Sequence, residues 1–146
     1  MRNKLGLLGE DLKDESLIID LLTWMHQNKA DYTNTFCILM NENIKEAKIY
    51  KNGNFLGWKE QWQKRLKMHN NSPEKSLKLM RSANPLVIPR NHKVEEALEA
   101  ANNDDLKPMK NLLKFLEKPY ENQEGISEYQ SLAPANDKKY QTFCGT

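Results

Sequence analysis

Long apolar runs are absent from the 146-residue sequence, and none approaches the roughly 20 residues that a helix needs to cross a bilayer. The N-terminus also lacks the apolar segment of a secretory signal peptide. Hydrophobic residues make up 38% of the chain and its mean hydropathy is -0.82, which predicts one modest core beneath a strongly polar surface. We therefore expect a cytoplasmic protein with no membrane partner.

Neither sign of charge dominates the sequence. The chain carries 22 basic and 20 acidic residues, and they are interspersed to give a net charge of +2. Such a surface produces no large positive field that would hold a polyanion. Binding to nucleic acid is therefore not expected.

Patterns that bind metals or phosphates are also missing. The two cysteines, Cys37 and Cys144, and the three histidines are scattered without metal-ligand spacing, so the thiols are expected to be reduced in a reducing compartment. No glycine-rich phosphate loop is present. The sequence therefore predicts no catalytic residue, no cofactor-binding residue and no metal ligand in this chain.

Apolar residues recur at helical spacing through most of the chain. The segments that this pattern predicts as helices are residues 15–28, 31–41, 45–50, 55–70, 72–84, 93–102 and 105–118. Ser72 followed by Pro73 marks the clearest helix start, because serine caps free amides and proline suits the first turn. The predicted fold class is all-α, with about six or seven short helices and no sheet.

Two interruptions of the helical pattern set the predicted organisation. Asn52-Gly53-Asn54 predicts a turn, since Asn-Gly favours positive backbone dihedral angles. Pro119 is expected to end regular structure, and the polar residues after it are typical of a loose chain end. We therefore divide the chain into a helical domain at residues 1–118 and an extended, irregular C-terminal tail at residues 119–146.

One apolar stripe on an otherwise charged helix is formed by Phe55, Trp58, Trp62 and Leu66. The stripe favours core packing, because aromatic side chains bury a large apolar area. The functional alternative is a platform on which nucleic-acid bases stack, with Lys64 and Arg65 among the neighbouring basic residues. The weak excess of positive charge on this helix makes the second interpretation less favoured.

The stretch around residues 84–91 is predicted to be a buried, non-helical corner. Pro85 and Pro89 each lack an amide donor and bias the preceding residue toward extended backbone, so one helix must end near Asn84. Asn91 is predicted to cap the next helix. The guanidinium of Arg90 is predicted to fasten the corner by hydrogen bonds to the carbonyls that are freed where helices end.

The same stretch carries a family resemblance, together with landmarks that follow in order along nearly the whole chain. These landmarks include Lys4-Leu5-Gly6-Leu7, Ala30-Asp31-Tyr32-Thr33, Met80 to Pro85, Ile88 to Leu98, Pro119-Tyr120 and Phe143-Cys144-Gly145-Thr146. In this order they resemble the C-terminal part of the SelO family, also called the YdiU or UPF0061 family. The resemblance implies a kinase-like protein that transfers AMP from ATP to hydroxyl side chains of other proteins.

The resemblance also implies what this chain contributes. The catalytic parts of the family lie upstream of the matching region. The resemblance therefore implies ATP and Mg²⁺ for the full-length family, and it implies no residue of this chain that contacts either of them. The chain is then a helical, non-catalytic C-terminal portion, either an expressed fragment or a truncated reading frame. Its implied partners are the kinase-like catalytic portion and, for the whole protein, the protein substrates.

Cys144 is the one candidate for redox chemistry. In the SelO family the matching position holds cysteine or, in some members, selenocysteine, so the resemblance implies a redox role. The alternative is a spare cysteine in a loose tail, because exposure alone shows no function.

A different class of function also remains open, namely a free-standing helical module without enzymatic activity that buries its tryptophan stripe against another protein.

Overall fold

The computed structural model describes residues 1–40, 48–68 and 72–133, and within these ranges all regular structure is helical. The α-helices are α1 (Asp14–Gln27), α2 (Tyr32–Leu39), α3 (Gly53–Leu66), α4 (Pro73–Ala83), α5 (Asn91–Asn102), α6 (Lys107–Glu117) and α7 (Ser127–Gln130). Two 3-10 turns, Arg2–Leu5 and Lys48–Lys51, complete the described structure. The prediction of an all-α fold with six or seven short helices is confirmed.

Side-chain caps determine where several helices begin. The carboxylate of Asp31 accepts a hydrogen bond from the amide of Asn34 at 2.8 Å, and the hydroxyl of Ser72 accepts from the amide of Lys75 at 3.2 Å. Oδ1 of Asn52 accepts a hydrogen bond from the amide of Asn54 at 2.8 Å, and α3 begins at Gly53, directly after this cap. The predicted turn at Asn52-Gly53-Asn54 is therefore wrong, because Asn52 acts as an N-cap rather than as a turn residue.

Aromatic residues form a continuous series through the core between α1 and α3. The ring of Phe55 lies 4.5 Å from that of Trp24 and 5.8 Å from that of Trp58, and the rings of Trp58 and Trp62 stack at 6.0 Å. The indole nitrogens of Trp58 and Trp62 donate to the carbonyls of Leu17 and Leu5, each at 2.8 Å. The stripe is core, so neither a base-stacking platform nor a surface offered to another protein fits it.

The N-terminal turn packs against α4. Leu5 is fully buried, and Gly6 follows it with a φ of 68°. A Cβ atom at Gly6 would lie 2.8 Å from the carbonyl oxygen of Ser76 in α4, closer than real Cβ atoms approach other atoms. Glycine is required at this position both by the left-handed backbone and by the close contact.

Regular structure continues after Pro119, so the prediction that it ends there is wrong. Ile126, Tyr129 and Gln130 are all buried, and the ring of Tyr129 lies 4.5 Å from that of Phe115 in α6. A four-residue helix such as α7 is too short to leave a periodic signal in the sequence. The division of the chain at residue 118 stays a prediction, and residues 134–146 of the proposed tail lie outside the described residues.

None of the described helices is both long enough and apolar enough to cross a bilayer.

Candidate functional site

Long-range polar contacts from several segments meet at the connector between α4 and α5, residues 84–90. Leu86 and Val87 are buried within it. The amide of Leu86 donates to the carbonyl of Pro119 at 2.7 Å, and the carbonyl of Pro85 accepts from the thiol of Cys37 at 3.7 Å. The connector is thus non-helical and packed among other segments.

Asn84 anchors the start of the connector to the N-terminal turn. It is 1% exposed, and its Nδ2 donates to the carbonyl of Lys4 at 2.8 Å. In return, Nζ of Lys4 donates to Oδ1 of Asn84 at 3.3 Å and to the carbonyl of Ala83 at 2.9 Å. Lys4 therefore satisfies a carbonyl at the end of α4, where helices leave acceptors free. Burial lowers the pKa of the Lys4 ammonium group below its ordinary value.

Arg90 ends the connector and binds side chains at the start of α2. Its Nη1 and Nη2 donate to the two carboxylate oxygens of Asp31, each at 2.9 Å, and Nη2 also donates to Oδ1 of Asn34 at 2.9 Å. This planar, two-pronged arrangement is the one that arginine makes best with a carboxylate. The predicted hydrogen bonds to helix-end carbonyls are wrong, because Asp31 and Asn34 provide the acceptors instead.

Asn34 and Gln130 extend these contacts to α7. Nδ2 of Asn34 donates to the carbonyl of Gln130 at 3.0 Å, and Nε2 of Gln130 donates to the carbonyl of Leu86 at 2.9 Å. We call Asp31, Asn34, Arg90 and Gln130 the corner network. It joins α2, α7 and the connector through buried or half-buried polar groups, which are costly to leave unsatisfied.

The remaining predicted corner residues have smaller roles. Asn91 is the first residue of α5, and Arg90 occupies the N-cap position without a side-chain capping bond. The prediction that Asn91 caps this helix is therefore wrong. Pro89 is exposed, and Pro85 is half-buried. Both lie in the non-helical connector, where their missing amide donors require no partner.

Asp31 stays ionised in spite of its surroundings. Burial opposes its negative charge, but the hydrogen bonds from Arg90 and from the amide of Asn34 outweigh that effect. The pKa of Asp31 is therefore below its ordinary value. The carboxylate acts at once as the cap of α2 and as the acceptor for Arg90.

A second polar cluster lies at the start of α1. Arg65 and Asp14 are 5% and 4% exposed, with Nε 2.7 Å from Oδ1 and Nη2 3.1 Å from Oδ2. Arg2 adds a contact from its Nε to Oδ2 of Asp14 at 3.2 Å, and Nη2 of Arg65 also donates to the carbonyl of Leu8 at 3.2 Å. We call Asp14 and Arg65 the buried ion pair.

Sequence reasoning missed the buried ion pair, although it left a signal. Arg65 follows Trp62 by three residues and therefore lies on the same face of α3 as the core tryptophans. Burial opposes the charge of Asp14, but the hydrogen bond and the positive charge of Arg65 hold the pKa of that carboxyl below its ordinary value. Asp14 is therefore ionised although both it and Arg65 are buried.

The chain matches the family described as protein adenylyltransferase SelO over residues 1–117. It belongs to the SelO family. The resemblance drawn from the sequence landmarks is therefore confirmed. Helices α1 to α6, the buried ion pair, Asp31 and Arg90 all lie within the SelO match, whereas Gln130 and α7 lie beyond it.

Relatives within the SelO family align with the whole of this chain. The protein nucleotidyltransferase YdiU of Pelagibacter ubique is 56% identical over 146 residues, and that of Alcanivorax borkumensis is 44% identical over 147. The YdiU protein of Syntrophotalea carbinolica is 46% identical over 147 residues. Each alignment covers 100% of this chain but 30% of the relative. The chain thus spans about a third of the length of these SelO relatives.

The acidic side chains of the two clusters in this SelO chain are held by arginines. Within residues 1–40, 48–68 and 72–133, no group of three or more His, Cys, Asp or Glu side chains is placed to hold a metal ion. Asp14 and Asp31 are both engaged by arginines. Cys144, the redox candidate, lies outside the described residues, whereas Cys37 is fully buried in α2.

Proposed function

We propose that the chain is the non-catalytic helical portion of a SelO-type protein adenylyltransferase. In this proposal the whole protein transfers AMP from ATP to hydroxyl groups of other proteins, and its kinase-like part binds ATP and Mg²⁺. The helical portion supports that part, which is its partner. Protein substrates meet the whole enzyme rather than this chain alone.

One observation carries the proposal. The entire chain aligns with proteins named nucleotidyltransferases, yet it spans only 30% of their length. Its described residues fold into helices around an aromatic core, and its buried charges are paired internally. Such a unit can dock on a catalytic part and stabilise it, in the way that packed domains of one polypeptide do.

The purified chain is expected to transfer no AMP, because the proposal assigns ATP and metal binding to the kinase-like part. The test incubates the chain with labelled ATP, Mg²⁺ or Mn²⁺ and a generic protein acceptor, and then measures label on both proteins. Metal-dependent labelling by this chain alone would contradict the proposal. The positive control is a chimera in which this chain replaces the aligned part of the Pelagibacter relative, and we expect it to transfer AMP.

We also propose that Cys144 is a redox-regulatory thiol of the whole protein. The support is the family resemblance at this position and the unsuitability of the other cysteine. Cys37 is 0% exposed, and its thiol donates to the carbonyl of Pro85. Buried thiols are inert compared with accessible ones, so Cys37 is a poor partner for redox exchange.

In the purified chain, both cysteines are expected to be reduced, and Cys144 should react with a thiol reagent several times faster than Cys37. The physical reason is that Cys37 reacts only when α2 opens locally. Timed labelling with bromobimane, followed by peptide mass spectrometry, gives both rates, and 4 M urea provides the reference in which the two should converge. An intramolecular disulfide between Cys37 and Cys144, or slower labelling at Cys144, would refute the prediction.

A further inference from the structure

Helices α5 and α6 form a hairpin that leaves one apolar surface uncovered. The helices are joined by residues 103–106, and a connection this short makes them antiparallel neighbours. Leu98 on α5 is 46% exposed, Leu106 at the start of α6 is 47% exposed, and Leu113 within α6 is 53% exposed. The described part of the chain therefore leaves about half of each side chain in water. We call these three leucines the hairpin face.

The three leucines lie on the same side of the hairpin. Leu98 directly follows the buried Ala97, so it lies about 100° further round α5 than a core residue. Leu113 directly follows the buried Leu112 in the same way on α6. Both helices are right-handed, and in an antiparallel pair the same rotation away from the core leads to the same side. Leu106 precedes Leu113 by seven residues and joins it there, so the leucines form one patch.

The charges beside the hairpin face have opposite signs on the two helices. α5 contains three glutamates and one lysine, whereas α6 contains three lysines and one glutamate. Glu95 and Glu99 are exposed one turn apart on α5. Lys110 and Lys114 are exposed one turn apart on α6. Counted from the turn between the helices, Glu99 is as far along α5 as Lys110 is along α6. Glu95 and Lys114 are matched in the same way.

We propose that the hairpin face binds a second copy of this chain, related to the first by a two-fold axis parallel to the hairpin. In that arrangement α5 of each copy lies antiparallel on α6 of the other, and the four helices form a bundle around the leucines. This inference goes beyond the proposed function and does not depend on it.

Charge complementarity selects this occupant and this orientation. A two-fold axis parallel to the hairpin keeps every residue at its height, so Glu99 of one copy lies beside Lys110 of the other. Glu95 lies beside Lys114 by the same rule, and symmetry forms each pair twice. An axis across the hairpin would place α5 on α5 and α6 on α6, with like charges opposed. The leucines supply affinity, and the charges select the orientation.

Light scattering over about a hundredfold range of chain concentration tests the dimer. The parent chain should pass from monomer to dimer as concentration rises, because a small interface binds weakly. Leu113→Glu should stay monomeric throughout that range, since it places a charge in the centre of the patch. The matched control is Leu132→Glu, which changes a similarly exposed leucine outside the hairpin and should dimerise like the parent. Circular dichroism shows whether each variant keeps its helices.

Charge reversal tests the orientation. The double variant Glu95→Lys with Glu99→Lys makes both helices basic, and it should dimerise at least several-fold more weakly than the parent. The double variant Lys110→Glu with Lys114→Glu makes both helices acidic, and it should be weakened in the same way. Mixed in equal amounts, the two variants should form a heterodimer, because each basic helix then meets an acidic one. A dimeric parent whose reversed variants stay monomeric when mixed would contradict the proposal.

Two further outcomes would overturn the proposal. One is a parent chain that stays monomeric at every concentration. The other is a monomeric chimera of this chain with the Pelagibacter relative, since the proposal expects the chimera to dimerise and to lose the dimer on Leu113→Glu. If the melting temperature of a monomeric chimera also falls on Leu113→Glu, the hairpin face belongs to the rest of the SelO polypeptide. The proposed function would still stand in that case, because AMP transfer by the chimera is measured separately.

Discussion

Replacing Arg65 with methionine should lower the free energy of unfolding by about 3–5 kcal/mol, the range for breaking one side of a buried ion pair. Asp14 would stay buried, and among the described residues the half-exposed Arg2 would be its remaining charged partner. Small proteins are stable by about 5–15 kcal/mol, so the variant should be close to unfolding at 37 °C. Urea denaturation followed by circular dichroism measures the change.

Two further variants test the cause of that loss. Lys64→Met changes the exposed neighbour on α3 and should shift stability by no more than about 0.5 kcal/mol. The double variant Asp14→Asn with Arg65→Met should lose less than the sum of the single changes, because the unpaired buried charge is then gone. An Arg65→Met chain with the same urea midpoint as the parent would show that the pair contributes no stability.

Replacing Arg90 with methionine should lower the free energy of unfolding by about 2–3 kcal/mol, which is typical of lost hydrogen bonds to charged groups. The change removes the contacts to Asp31 and Asn34, and so detaches the connector from the start of α2. Thermal unfolding measures the effect. An unchanged melting temperature with the helical spectrum intact would contradict a structural role for Arg90.

The effect of Arg90→Met should also depend on pH. Because the folded pKa of Asp31 is lowered, its ion pair contributes full stability above the ordinary carboxyl pKa of about 3.9 and loses it as pH falls through the folded value. The difference between the parent and Arg90→Met should therefore be largest near pH 7 and narrow below about pH 4. Asp31→Asn should remove most of this pH dependence, since no charge is then left to titrate at that position.

Local patterns predicted the helices well, because the forces that start and extend a helix act over a few residues. Ser72 and Pro73 start α4 as expected, and Asp31 caps α2. The same local reasoning was wrong for Asn52 and Asn91. An asparagine can cap a helix or form a turn, and which of these occurs depends on how the neighbouring segments pack.

The polar clusters could not be predicted in the same way, because their partners are distant in sequence. Arg65 meets Asp14 across 51 positions, and Arg90 meets Asp31 across 59. The place of Arg65 on the tryptophan face of α3 indicated burial but not the partner, and nothing local to Arg90 distinguishes it from a solvated arginine. Gln130 was missed for a related reason, since its burial follows from the docking of a single helical turn.

The contact of Lys4 with Asn84 has a consequence for synthesis of the chain. The two residues are 80 positions apart. At about 5–20 residues per second, a ribosome would add Asn84 about 4–16 s after Lys4. During that interval the native contacts of the turn with Trp62 and α4 cannot form, because those parts of the chain are still being made. The turn can therefore reach its native packing only after residue 84 has been added.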